Sequence, residues 1–180
     1  MATSKTGSFW LTESVTMAAT LQIATGTIDL GSLVDVGDQQ GVSVEQIDVI
    51  WQEYNGTTYN GMVGNAVAAN AVFDVQLSDL NPGGVIVRAD DHSLVGSASL
   101  TLDDTNNITS LGPDIYPDTY GKLDESRIVV NDQLYIVSSS TAAIAATRNL
   151  VATVRIKARI VKLSTKDWMA IAIQSVAADN

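Results

Sequence analysis

The chain has 180 residues, 46% of them hydrophobic and 17% charged, with 20 acidic residues against 10 basic and a formal net charge of -10. Cysteine is absent and histidine occurs once, which excludes a disulfide scaffold, a cysteine-based zinc site and a thiol nucleophile. The acidity argues against a nucleic-acid-binding domain, and the apolar content against intrinsic disorder.

The N-terminal segment MATSKTGSFWLTESVTMAAT holds no apolar run of signal-peptide length, and no stretch approaches the roughly 18 apolar residues of a membrane span. The expectation is a chain without a secretory leader, made in the cytoplasm. Aspartate outnumbers lysine 16 to 5. Short carboxylates hold water well, and their mutual repulsion is screened over about 3 Å in molar salt, so this composition suits a high-salt environment. Valine, isoleucine and threonine make up 51 of the 180 residues and favour strands.

In chain order, apolar and alternating segments predict strands at 15–23 and 27–34, with Gly26 as the turn between them. Segment 46–54 alternates, with Ile47, Val49 and Trp51 on one face and Asp48, Ile50 and Gln52 on the other. A turn-rich stretch at 55–61 follows. Segment 70–78 places Ala71, Phe73, Val75 and Leu77 inward and Asp74 and Gln76 outward. Asn81-Pro82-Gly83-Gly84 is a turn, followed by short strands at 85–88 and 94–102 around a loop holding Asp90, Asp91 and His92. Residues 103–125 read as a long irregular loop of the kind that often forms a binding surface. Strands at 126–139 and 149–163 come next, and Ser164-Thr165-Lys166-Asp167 has the form of a capping box opening a short C-terminal helix. The alternation of Met169, Ile171 and Ile173 leaves a final strand as the alternative. The expected fold is all-β, a single jelly-roll sandwich of about eight strands occupying residues 1–180 as one domain.

Candidate chemistry is sparse. Asp90, Asp91 and His92 contain the acid and imidazole of a hydrolase or metal site. Adjacent carboxylates on a loop diverge, however, and no second histidine exists to complete a zinc or iron site. Segments 103–107 and 114–118 are rich in oxygen ligands but lack the spacing of a calcium loop. No nucleophile elbow, P-loop or dinucleotide fingerprint is present. The sequons at Asn55 and Asn107 are short enough to arise by chance. The expectation is therefore a non-enzymatic protein with no catalytic set, no cofactor and no metal.

Charge is unevenly distributed. Residues 1–147 hold 4 bases and 18 acids, whereas residues 148–180 hold 6 bases and 2 acids. The segment 149–163 concentrates this asymmetry. Leu150, Ala152, Val154, Ile156, Ala158 and Ile160 form one face, and Thr153, Arg155, Lys157 and Arg159 the other. Three cations in a row repel unless something acidic lies opposite. They are either balanced by the chain's own aspartates or form a contact with an acidic neighbouring subunit or an anionic lipid surface.

The segment 127–140 (RIVVNDQLYIVSSS), followed by the long strand ending RIVKL at 159–163, resembles the closing strand pair of viral jelly-roll capsid proteins. In length and acidity the chain is most similar to the small major capsid protein of icosahedral, internal-membrane-containing viruses of halophilic archaea. The resemblance implies an upright single jelly roll in the virion. It implies capsomers built from copies of the chain and a second, larger capsid protein, over an internal membrane, with no direct contact to nucleic acid. Two other classes compete: a carbohydrate-binding or host-attachment β-sandwich module, and a glycoside hydrolase on a sandwich fold. An aromatic content of 6% argues against the sugar-binding surface that both require.

Overall fold

The computed structural model describes residues 2–19, 22–106, 108–111 and 128–177. In chain order the strands are β1 (Thr3–Ser4), β2 (Phe9–Ala18), β3 (Ile23–Asp29), β4 (Gln40–Tyr54) and β5 (Tyr59–Asn60). After a 3-10 turn at Val63–Ala66 come β6 (Ala71–Ser78), β7 (Leu94–Asp103), β8 (Ile108–Leu111), β9 (Ile128–Val129), β10 (Gln133–Ser140) and β11 (Asn149–Lys162). The helix α1 (Thr165–Ala177) ends the order.

Every pairing is antiparallel. One sheet runs β2-β11-β4-β9, with β1 continuing along β11 beyond β2 and β5 pairing the far end of β4. The other runs β3-β10-β6-β7-β8. The chain passes from sheet to sheet between β2 and β3, β3 and β4, β5 and β6, β8 and β9, β9 and β10, and β10 and β11. This order, four strands against four, is that of a jelly roll, with β1, β5 and β8 as short additions.

The period of two in the sequence explains the core. Inward residues of the first sheet (Met17, Val44, Ile47, Trp51, Leu150, Val154, Ile156) meet those of the second (Phe73, Val75, Leu77, Leu100, Leu134, Ile136). Trp51 and Phe73 touch across the two sheets with ring centroids 6.1 Å apart. A smaller apolar patch lies on the opposite face of the first sheet. There Ala2, Ile128, Val130, Val161 and Leu163 are covered by Trp168, Ile171 and Ala172 of α1. The helix is capped as its sequence predicts, Ser164 Oγ accepting from the Asp167 amide at 3.2 Å. The helix, not the final strand, closes the described chain.

Several boundaries differ from the sequence reading. The strand read at 15–23 is β2, Phe9–Ala18, and Ile23 opens β3. The strand read at 27–34 is β3, Ile23–Asp29, because the chain turns from Leu30 onward, with Leu33 and Val34 amides bonded back to the Leu30 carbonyl. Gly26 is not a turn. It lies within β3, where a Cβ would sit 2.7 Å from Val15 Cγ1, so the absence of a side chain lets β2 and β3 approach across the sandwich. The strand read at 46–54 begins at Gln40. Segment 126–139 divides into β9 and β10, and residues 126 and 127 lie outside the described residues, as do 112–125 of the long loop.

Residues 85–88 form no strand. Strand β6, which this segment overlies, is already paired on both edges, by β10 and β7, and offers it no edge to join. It lies instead over the outer side of β6. There the Gln76 side chain takes both of its hydrogen bonds, donating to the Val87 carbonyl at 2.9 Å and accepting from the Val87 amide at 2.7 Å.

Candidate intersubunit face

The outer face of the β2-β11-β4 sheet is built by register. Thr12, Arg155 and Asp48 form one row, Trp10, Lys157 and Gln46 the next, and Ser14, Thr153 and Ile50 a third. Because β11 buries Val154, Ile156 and Ala158 between the sheets, the alternate residues must point away from the core. Helix α1 covers only the Val161 end of this sheet and leaves the Arg155 end open.

The three cations predicted as a contact have separate environments. Arg159 forms an ion pair with Glu45, and its guanidinium also donates to Ser8 Oγ at 3.4 Å. The partner exists because of a β-bulge. In β4, Gln46 pairs Lys157 and Val44 pairs Ala158, so Glu45 is the extra residue beside Arg159. Burial pushes the Glu45 carboxyl up. The hydrogen bond from Ser8 at 2.7 Å, the Arg159 guanidinium and the Lys157 charge outweigh this and hold it below its ordinary value. Arg159 is thus satisfied within the chain.

Arg155 and Lys157 are different. Neither forms an ion pair among the described residues. Arg155 stacks on Trp10, its guanidinium carbon 4.8 Å from the ring centroid, although Trp10 remains 44% exposed. Asp48 lies opposite Arg155 in register but accepts from Gln46 Nε2 at 2.8 Å. With Ile50 40% exposed in the adjacent row, the face combines two available cations, an aromatic ring and an apolar side chain.

The outer face of the second sheet has the opposite character. Ile23, Ser139, Asp74 and Ser99 form a row across β3, β10, β6 and β7. Burial raises the Asp74 carboxyl above its ordinary value, and no charged neighbour offsets this. Asp29 is exposed on the same side of β3, and no described strand residue of this sheet is basic.

The other candidates do not converge. Asp90 pairs with Arg88 at 3.0 Å, while Asp91 accepts from the Ser93 amide at 2.8 Å and from Ser93 Oγ at 2.7 Å, so these carboxylates and His92 do not form one centre. Among the described residues no three His, Asp or Glu side chains are placed to hold a metal. Asp103 accepts from Asn106 at 2.6 Å as a local loop bond, and segment 114–118 and Asn107 lie outside the described residues. A concavity of about 470 Å³ lined by Met62, Val63, Asn65, Leu102, Asp104 and Thr109 offers one carboxylate and no aromatic ring on which a sugar could stack.

Two ionisable features escaped the sequence reading. Glu53 is fully buried, ion-paired to Arg148 and bonded by Asn60 Nδ2 at 2.7 Å. Asp79 is pushed up to about 6, chiefly by burial and further by the Asp91 charge, and its Oδ1 has no hydrogen-bond partner. The alternation of β4 could have signalled Glu53, which falls on the same face as Ile47 and Trp51. Nothing local marks Asp79.

No family model matches the sequence, and no curated protein matches it. Solved structures with some likeness include the unassembled VP1 pentamer of KI polyomavirus, at 11% identity over 87% of this chain and 95% of that one, with a TM-score of 0.45. An unassembled mutant VP1 pentamer of Washington University polyomavirus gives 8% identity, 89% and 95% coverage and a TM-score of 0.40. Desmodium yellow mottle tymovirus gives 8% identity, 88% and 90% coverage and 0.31. The jelly-roll assignment rests on the strand order itself, not on these likenesses.

Proposed function

We propose that the chain is a structural subunit of a virion shell. On this reading a single jelly-roll domain assembles with copies of itself and with a second, larger capsid protein. The sequence resemblance extends this to an icosahedral virus of a halophilic archaeon, with an internal membrane beneath the shell. The observation that carries the reading is the open β2-β11-β4 face. Arginine and tryptophan are the residue types enriched at the centres of protein interfaces, and here Arg155 and Trp10 stack with Lys157 and Ile50 beside them. In a chain of net charge -10, two available cations on one flat face form an attractive site for an acidic neighbour.

Charge reversal tests this. The Arg155→Glu/Lys157→Glu variant should fail to assemble under conditions where the wild type does. Its free subunit should unfold within about 1 kcal/mol of wild type, since both side chains stand outside the core. Normal assembly of this variant contradicts the contact. Tight, charge-dependent binding of the wild-type face to anionic vesicles, with assembly unaffected, would assign the patch to lipid instead.

A further inference from the structure

The two outer sheet faces of this chain differ in a way that fits one to the other. We propose that the β2-β11-β4 face of one copy docks on the outer face of the β3-β10-β6-β7 sheet of the next, Arg155 and Lys157 meeting Asp74. This rests on the shell-subunit reading and names which surface of a second copy the cationic face takes.

The argument is charge and shape together. On the first face, Arg155 and Lys157 are left without ion pairs among the described residues, and Trp10 and Ile50 are exposed beside them. On the second, Asp74 stands in the row Ile23–Ser139–Asp74–Ser99, half-buried, with no charged partner. Ile23, 46% exposed at the end of that row, supplies the apolar counterpart to Trp10 and Ile50. The nearby strap at 85–88 adds no net charge, because Arg88 is paired with Asp90. Set against itself across a two-fold axis, the first face would offer its two cations only Asp48, which Gln46 already engages, so the unlike face is the better match. The contact is therefore between unlike faces, and repetition of such a contact generates a ring when the rotation closes. Every copy offers both faces, so no copy is left with its cations unmatched except at an open end.

Charge exchange tests the pairing in the full chain, by sedimentation velocity at a salt concentration where the wild type associates. Arg155→Glu and Asp74→Lys should each weaken self-association on the order of tenfold or more. The Arg155→Glu/Asp74→Lys double variant restores complementarity with exchanged signs and should recover association to within about threefold of wild type. An equimolar mixture of the two single variants should associate as well. The pairing is overturned if both single variants associate like wild type. It is also overturned if the double variant associates no better than the weaker single one while all melt normally. Should Asp74→Lys fail to fold, Ser99→Lys places a cation opposite Asp74 within the chain and must weaken association likewise; unchanged association again overturns the pairing. A wild type that never associates at any salt concentration removes the shell reading itself, which separates the two failures.

Discussion

Asp79 carries a penalty that its neighbours do not relieve. Its amide is bonded to the Ser93 carbonyl at 2.9 Å and its own carbonyl to Asn131 Nδ2 at 2.6 Å, but the carboxyl Oδ1 has no partner and faces the charge of Asp91. The folded chain therefore holds a proton on Asp79 up to about pH 6, whereas the unfolded chain releases it near the ordinary aspartate value of 3.8. Between these values the folded state binds more protons, so this group makes stability fall as pH rises from about 4 to about 6, and above that its effect is constant. Asp79→Asn should be more stable than wild type at about pH 7, on the order of 2 kcal/mol, with the advantage vanishing near pH 4. Chemical denaturation across this range measures it, and parallel curves for the two proteins would refute the account. Glu53 shows the opposite solution to burial. It is completely enclosed, yet Asn60 of the adjoining β5 and Arg148, which comes from a distant part of the chain, satisfy it. The alternation of β4 places Glu53 on the buried face, but the separation from Arg148 hides the ion pair from a linear reading.

At the scale of elements, the strap at 85–88 shows a side chain performing the task of a strand edge. Two hydrogen bonds between the Gln76 side chain and the Val87 backbone, one in each direction, hold Val87 over β6, while Val85 and Ile86 remain exposed. Gln76→Ala should release the strap, speeding exchange of the Val87 amide and cleavage between residues 82 and 90, with a loss of global stability of only about 1 kcal/mol. An unchanged Val87 exchange rate would show that the strap is held by something else. The same segment explains what was legible. Segments 70–78 and 149–163 could be read because one buried face imposes strict alternation between turn signals. Segment 85–88 has strand-like residues but lies over β6, whose two edges are filled by β10 and β7, and strand pairing is a property of the whole sheet. Gly26 misled for a related reason. Glycine usually punctuates a turn, but here its missing side chain serves the close approach to Val15. The cation stripe was legible as a stripe. Its division into Arg159, bound to Glu45, and Arg155 with Lys157, left open, depends on a bulge that local sequence does not announce.

For the whole molecule, a net charge of -10 sets the condition under which copies can meet. At low ionic strength each copy repels the next, and only the Arg155 and Lys157 face attracts. In molar salt the general repulsion is confined to about 3 Å, while apolar contacts through Trp10, Ile50 and Ile23 persist. Association should therefore strengthen with salt, the reverse of an interface held by ion pairs alone. A stable contact buries on the order of 1,200–2,000 Å² in total, and a shell subunit needs more than one. The most direct measurement is sedimentation velocity of the full chain, alone and with the other particle proteins, from low to molar salt. The account predicts multi-copy assemblies at high salt that dissociate as salt is lowered; a chain that sediments as a monomer throughout, in either setting, would contradict it.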